Sequence, residues 1–216
     1  SYMLGRKARL VAREAHRKRG RLLDIGTGTG YFADTMARRG WKVEAVEKSP
    51  QARAFAKEHF DLDVKPESAL KEFAPGSFDV ITLWHVMEHL EHLNETWEML
   101  RELLTEKGML IVAVPNCSSY DAGRYGEYWA AYDVPRHLWH FTPVTIQQLA
   151  SRHGFIMAAR HPMPFDAFYV SMLSEKHRGS SCSFLKGMYA GTLAWFSTLG
   201  RKERSSSMIY VFRKKR

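Results

Sequence analysis

The sequence contains few cysteines and no long hydrophobic run. Among 216 residues only Cys117 and Cys182 are cysteines, and their wide separation argues against a disulfide framework or a zinc site. No stretch reaches the roughly 18 apolar residues that a membrane-spanning helix needs, and no secretory hydrophobic core follows the basic residues at the start. We therefore expect free thiols and a soluble, cytoplasmic protein.

The net charge of +9 is concentrated at the two ends of the chain. Residues 1–21 contain eight basic side chains against Glu14, and residues 213–216 are all basic, so the remaining chain carries a net charge of −2. We interpret these basic ends primarily as solvated termini; the alternative is that they contact nucleic acid or an anionic membrane surface. The length suits a single domain over residues 1–216, with residues 1–20 as a basic N-terminal helix or cap.

Apolar runs alternate with helix-length segments from residue 21 onward, which predicts an α/β fold with a doubly wound, mostly parallel sheet of seven strands. The predicted strands cover residues 21–25, 41–46, 62–65, 78–83, 109–114, 155–160 and 207–213. The predicted helices cover residues 31–39, 50–59, 94–105, 142–153 and 184–199. The last helix is apolar almost all round, so we expect it to be buried, or alternatively to contact a membrane surface or a second copy.

Residues 117–141, after the fifth predicted strand, break this alternation. They are irregular in pattern and rich in aromatic residues and histidine. A segment of this length is too long for a routine connection inside a compact domain. We interpret it as an aromatic insertion that forms a substrate loop.

A glycine-rich turn follows the first predicted strand, in the segment from Leu22 to Gly30, which reads LLDIGTGTG. A strand, a glycine turn and a helix start bring backbone N–H groups against a ligand at the carboxyl edge of a parallel sheet. Glu47, which ends the second predicted strand, can accept hydrogen bonds from both hydroxyls of a ribose. Together these features predict a nucleoside cofactor.

The charge of Asp24 indicates which nucleoside is bound. Residues 28–33 also fit the loose G-x-G-x-x-A form of the dinucleotide fingerprint, which by itself is weak evidence. A carboxylate two residues before the first glycine repels a pyrophosphate and attracts the ammonium of a methionine moiety. The pattern therefore favours S-adenosylmethionine over a nicotinamide dinucleotide.

The motif resembles that of class I S-adenosylmethionine-dependent methyltransferases, with a Rossmann-like fold. Their hydrophobic-Asp-x-Gly-x-Gly-x-Gly signature is matched at Asp24, Gly26, Gly28 and Gly30, and Glu47 is at the ribose-binding position. The resemblance implies that Lys48 lies beside the adenine, that Ser68 and Ala69 approach its amine, and that Trp84 and His85 face the methyl donor. The predicted cofactor-binding set is completed by Thr27 and Tyr31.

The same resemblance extends to two further blocks. Residues 78–89 and 133–143 are similar to a subgroup that includes ubiquinone-pathway-type methyltransferases. This similarity does not determine a substrate.

His85, His137 and Asp133 are the predicted catalytic residues, because an imidazole titrates near neutral pH and can act as a general base. The alternatives are that His85 only starts a helix, and that Asp133 pairs with Arg136 while His137 packs. Residues 85–89 also fit the H-x-x-E-H pattern of inverted zinc peptidases. No third protein ligand is obvious, so we expect no metal.

We predict methyl transfer to a small-molecule or lipid-like acceptor, on oxygen rather than nitrogen, by a monomer or homodimer. The alternatives are a non-catalytic binding module that uses the basic ends and residues 184–199 as its contact surface, and an NAD-dependent oxidoreductase. Residues 82–85 lack the Asn/Asp-Pro-Pro-aromatic element that grips a flipped base, which argues against a nucleic-acid acceptor. A covalent role for Cys117 is disfavoured.

Overall fold

The computed structural model describes residues 2–215, in which helices cover both faces of a six-stranded sheet. The strands are β1 (Arg21–Ile25), β2 (Lys42–Val46), β3 (Phe78–Trp84), β4 (Leu104–Pro115), β5 (Phe155–Met163) and β6 (Ser207–Lys214). The helices are α1 (Tyr2–Glu14), α2 (Tyr31–Ala37), α3 (Pro50–Phe60), α4 (Leu93–Leu103), α5 (Tyr120–Tyr125), α6 (Pro143–Arg152), α7 (Asp166–His177) and α8 (Ser183–Gly200).

The strand order is β2-β1-β3-β4-β6-β5, which confirms the α/β class. The first four strands are parallel, and β6 runs antiparallel to both β4 and β5, so the sheet is mixed. The prediction of seven strands is wrong for the described chain, because residues 62–65 form only one isolated bridge, between Val46 and Lys65. Pro66 follows immediately and has no N–H group to extend the pairing.

Two other element boundaries differ from the sequence prediction. Strand β4 begins at Leu104, directly after α4, whereas the predicted strand begins at residue 109; its register with β3 shifts between Phe78 and Val80. Helix α7 was not predicted, although Pro164 just before it and Asp166 in its first turn are typical of a helix start.

Alternate side chains of the sheet enter two separate hydrophobic cores, one on each face. Leu22 of β1 packs on the side of α1 and α2, with Val11 and Phe32. Leu23 packs on the side of α4 and α6, with Trp97 and Ile146. Because both faces are covered, ligands can approach the parallel strands only at their ends.

Residues 117–141 pack against α7 and β6 through buried polar contacts. The carboxylate of Asp121 accepts hydrogen bonds from Trp129 Nε1 at 2.8 Å and from Ser206 Oγ at 2.6 Å. The hydroxyl of Tyr125 donates to Glu175 at 3.1 Å. These contacts hold the segment against the carboxyl edge of the sheet.

Helices α7 and α8 form a closely packed hairpin. A Cβ added at Gly187 would lie 2.5 Å from Met172 Cα, and one at Gly191 would lie 2.8 Å from Phe168 Cα. Only glycine allows the two backbones to approach this closely. Among the helices of residues 2–215, none combines the length and apolar character required to cross a membrane.

Replacing Gly187 by alanine should loosen this hairpin. We expect Gly187→Ala to lower the free energy of unfolding by about 1–3 kcal/mol through overpacking, as measured by denaturant titration. Gly123→Ala is the matched control, because the added Cβ meets no atom within 4 Å, and should change it by no more than about 1 kcal/mol. Equal stability of the two variants would contradict the close approach.

Candidate active site

The predicted glycine turn lies at the carboxyl ends of the parallel strands and adopts a conformation that requires glycine. Gly26, Gly28 and Gly30 all have positive φ, at 67°, 59° and 83°. A Cβ at Gly26 would lie 2.5 Å from Val86 Cγ2, whereas one at Gly28 would meet nothing within 4 Å. Gly26 therefore allows Val86 to pack against the turn, whereas the absence of a side chain at Gly28 leaves open space beside it.

Two carboxylates flank this turn. Asp24 is 1% exposed and accepts a 2.6 Å hydrogen bond from Thr82 Oγ1. Burial raises the pKa of Asp24 to about 6, although hydrogen bonds from Thr27 and Thr82 act in the opposite direction. Glu47 accepts backbone N–H groups from Gly28 and Ser49, each at 2.9 Å. Both side chains are therefore held in one orientation beside the turn.

A cavity of about 900 Å³ opens beside the turn and the tip of β2. It brings together five of the residues predicted to bind the cofactor, namely Gly26, Glu47, Lys48, Ser68 and His85. The other predicted cofactor residues do not line it; they are Asp24, Thr27, Gly28, Gly30, Tyr31, Ala69 and Trp84.

Trp84 lies instead against α1 and α2. The ammonium of Lys7 is 4.3 Å from the centre of its indole, and Phe32 packs edge-on against it. Burial lowers the pKa of Lys7, while the charges of Asp166 and Asp24 counteract this effect. Lys7 carries no signal in the sequence, because its neighbours Trp84 and Asp166 come from distant parts of the chain.

A second cavity of about 1,020 Å³ shares His85 with the first. Its walls come from the start of α1, from the segment 130–137, and from α7. Apolar and aromatic residues dominate, among them Met3, Ala130, Phe165, Tyr169 and Leu173. Because the two cavities meet at His85, a ligand in each would approach the other there.

His85 lies between two carboxylates. Its backbone has a φ of 58°, in the left-handed region that is unusual for a non-glycine residue. Its Nδ1 is 3.4 Å from Glu88 Oε1, and its Nε2 is 3.5 Å from Asp166 Oδ2. Burial disfavours the imidazolium, but the two carboxylates outweigh it and raise the pKa of His85 to about 9. At neutral pH His85 therefore carries a proton and is not ready to accept one.

Asp133 and His137 both line the second cavity. Asp133 pairs with Arg136 at 2.7 Å, so the ion pair considered as the structural alternative is present. His137 Nδ1 is 2.8 Å from the carbonyl oxygen of Ala131, and burial lowers the pKa of His137. Because a carbonyl only accepts hydrogen bonds, the proton of the neutral ring is on Nδ1 and Nε2 carries the lone pair.

Glu88, His89 and His137 have the geometry to hold a metal ion. One donor atom from each lies within 4.8 Å of the others. Neither carboxylate oxygen of buried Glu88 has a hydrogen-bond partner, and His89 Nδ1 is 2.9 Å from the carbonyl oxygen of Arg136. The expectation of no metal relied on the lack of a third ligand near residues 85–89. The fold brings His137 to that place.

The chain belongs to the methyltransferase-domain family, whose model matches residues 1–159. The resemblance inferred from the glycine motif is thus confirmed at the level of the family. The Schizosaccharomyces pombe mitochondrial ubiquinone biosynthesis O-methyltransferase is 35% identical over 101 residues, covering 43% of this chain and 37% of that relative. The Cereibacter sphaeroides ubiquinone biosynthesis O-methyltransferase is 30% identical over 158 residues, covering 68% and 64%. The chain thus spans less than two thirds of the length of these relatives.

A solved structure with the same fold is Haemonchus contortus phosphoethanolamine N-methyltransferase 2 in complex with S-adenosyl-L-methionine. It superposes with a TM-score of 0.66 at 20% identity, covering 98% of this chain and 53% of that one. At this identity the likeness concerns the fold alone.

The charge of His85 should make stability depend on pH. The pKa of His85 in the folded protein lies above the ordinary value of 6.5. The contribution of its charge to the stability of the folded protein is therefore complete below pH 6.5 and is lost as pH rises to about 9. We expect the melting temperature of the wild type to fall more steeply over this range than that of His85→Asn, since asparagine tolerates positive φ.

His16→Asn is the matched control, because His16 also has positive φ (50°) but lies exposed on the surface. It should keep the pH dependence of the wild type in thermal unfolding scans. If the melting temperature of His85→Asn falls with rising pH as steeply as that of the wild type, His85 is not held as an ion-paired cation.

Proposed function

We propose that this chain transfers a methyl group from S-adenosylmethionine to an oxygen atom of a small-molecule or lipid-like acceptor. The observation that carries the proposal is the pair of carboxylates, Asp24 and Glu47, at the tips of adjacent parallel strands beside the glycine turn. The relatives named as O-methyltransferases support oxygen as the acceptor atom. The fold neighbour in complex with S-adenosyl-L-methionine supports the cofactor.

The charge beside the first cavity supports this cofactor over a nicotinamide dinucleotide, since Glu47 lines the cavity and Asp24 is buried at the glycine turn that borders it. Asp24 and Glu47 repel a diphosphate and attract the ammonium of a methionine moiety. Each oxygen of Glu47 accepts one backbone N–H and keeps a lone pair for a ribose hydroxyl. Thr27 Oγ1 is buried beside Asp24 and keeps a lone pair that can accept a hydrogen bond from a bound ammonium. Lys48 and Ser68 line the same cavity and would border the adenine.

The second cavity supports an apolar acceptor with a polar group. Its apolar and aromatic walls suit a ring or a lipid chain, and the carboxylates of Glu88 and Asp166 lie beside His85 in its lining. Ala130, Ala131, Asp133 and His137 come from the segment 117–141, which supports its interpretation as the substrate loop. Asp133, tied to Arg136, would orient this part of the loop.

S-adenosylmethionine supplies an already activated methyl group, so the protein has to align the acceptor and take up its proton. Because His85 is protonated at neutral pH, we assign the proton-accepting role to its partner Asp166, whose carboxylate lines the acceptor cavity. The acceptor O–H proton would pass to Asp166 as the acceptor oxygen takes the methyl group, and S-adenosylhomocysteine would be the leaving product. The imidazolium of His85 stabilises the negative charge that develops on the acceptor oxygen.

Removing either carboxylate beside the glycine turn should abolish tight cofactor binding. We expect Asp24→Ala and Glu47→Ala each to weaken binding of S-adenosylhomocysteine about 10- to 100-fold or more, because a hydrogen bond to a charged group is worth about 1.5–3 kcal/mol. Isothermal titration calorimetry measures the change.

Glu44→Ala is the matched control, since Glu44 is on the same strand but pairs with Lys65 instead of the turn. It should bind like the wild type. Undiminished binding in both test variants, or tight binding of a nicotinamide dinucleotide, would overturn the proposal.

Asp166 can be tested once an acceptor is identified by following S-adenosylhomocysteine release with quinols, phenols, sugars and lipids. We expect Asp166→Asn to lower kcat by about 10²–10⁴-fold, as is usual for loss of a general base. Cofactor affinity should not change, and Asp166→Glu should recover part of the activity. The exposed Asp63→Asn is the control.

The variant His137→Gln tests the alternative that His137, and not Asp166, accepts the proton. If Asp166→Asn keeps its kcat while His137→Gln loses it, the proton passes to His137 and the role given to Asp166 is wrong.

A further inference from the structure

Helix α8 buries its small side chains and exposes its large apolar ones. The buried residues of α8 are Gly187, Ala190, Gly191, Ala194 and Thr198. The large apolar residues at the surface, with exposed fractions between 37% and 68%, are Phe184, Leu185, Met188, Tyr189, Phe196 and Leu199. Their spacing places them on one face of the helix. The expectation of a buried helix is therefore wrong for this face.

This exposed apolar face is built into the fold. Gly187 and Gly191 hold α8 against α7 at backbone distance, so α8 cannot rotate to bury its bulky side chains. Exposed single apolar residues are common, but six large apolar side chains on one face of a single helix indicate an interaction surface.

The ends of the hairpin are basic. Between residues 176 and 204 there are six basic side chains, Lys176, Arg178, Lys186, Arg201, Lys202 and Arg204, all exposed. The only acidic residue in this range is Glu203, which pairs with Arg160. Lys186 is the only charged residue within α8 itself. An apolar face flanked by exposed cations is typical of a helix that lies in the plane of an anionic membrane surface.

Charge argues against a second copy as the partner of this face. In a two-fold symmetric contact between two α8 helices, an antiparallel arrangement places the end near Lys186 against the end near Arg201 of the second copy. A parallel arrangement places each end against the same end of the second copy. Both ends are basic, so either arrangement brings like charges together, whereas anionic lipid headgroups neutralise them.

The apolar face is on the same hairpin as the mouth of the second cavity. Phe165 and Tyr169, at the start of α7, line this cavity and are 47% and 64% exposed. Tyr2 and Met3 of α1 also line it and are exposed. The hairpin that presents the apolar face thus also contributes exposed aromatic side chains to the wall of this cavity.

We propose that α8 lies on the surface of an anionic lipid bilayer, with the face from Phe184 to Leu199 in the headgroup region and the flanking cations on the lipid phosphates. The proposal concerns binding to a surface and does not depend on the proposed methyl transfer.

The test is co-sedimentation of the full chain with vesicles of phosphatidylcholine alone or mixed with phosphatidylglycerol. The wild type should bind the mixed vesicles, bind phosphatidylcholine weakly, and lose affinity as salt screens the cations. The double variant Leu185→Ser/Phe196→Ser should lower the partition coefficient about tenfold or more, because it removes two large apolar side chains. Arg201→Glu/Lys202→Glu should remove the preference for phosphatidylglycerol.

The matched control is Val144→Ser/Ile156→Ser, which replaces two apolar side chains that are 62% and 50% exposed elsewhere on the surface. It should bind vesicles like the wild type, and thermal unfolding should show that every variant is folded. Failure of the wild type to bind anionic vesicles, or equal binding by the Leu185/Phe196 variant, would overturn the proposal. Light scattering that finds a wild-type dimer dissociated by this variant, without vesicle binding, would assign the face to a second copy.

Discussion

The burial of the Asp24 carboxylate is the physical constraint on which the proposed cofactor site depends. The carboxylate lies at the end of β1 with almost no exposure, and burial raises its pKa to about 6. The ionised form is therefore held at a cost, which the hydrogen bond from Thr82 offsets only in part. A cationic ligand group reduces that cost, and a phosphate increases it. With Glu47 held by the N–H groups of Gly28 and Ser49, the same edge of the sheet has a second fixed negative charge.

The proposed acceptor side depends on an arrangement that links two distant segments of the chain. His85 follows β3, Glu88 belongs to the next turn, and Asp166 begins α7, yet the imidazole contacts both carboxylates. These contacts hold the ring as a cation where the two cavities meet. The segment 117–141, attached through Asp121 to Ser206, provides the opposite wall and brings His137 near Glu88 and His89. Glu88 thus contacts the imidazolium of His85 and also belongs to the group that could hold a metal ion.

The α7–α8 hairpin illustrates how packing can reverse the usual arrangement of an apolar helix. Glycines at 187 and 191 allow backbone contact with α7, and the helix gains its stability there from close van der Waals packing. The large side chains are left outside, between basic ends. Hydropathy along residues 184–199 predicted a helix, but it could not indicate which face would be covered. A helix that is apolar on all sides contains no such signal.

The sequence by itself determined the α/β class, the glycine turn, the two carboxylates beside it and most helix positions, because these depend on local patterns of hydrophobicity, charge and backbone freedom. The tertiary structure alone decided that residues 62–65 do not form a strand, that Trp84 faces Lys7 and not the first cavity, and that Asp166 reaches His85. It also decided the charge of His85, since that depends on burial and on carboxylates from Glu88 and a remote helix. Contacts between residues far apart in the chain leave no periodic signal, so only the folded arrangement determines them.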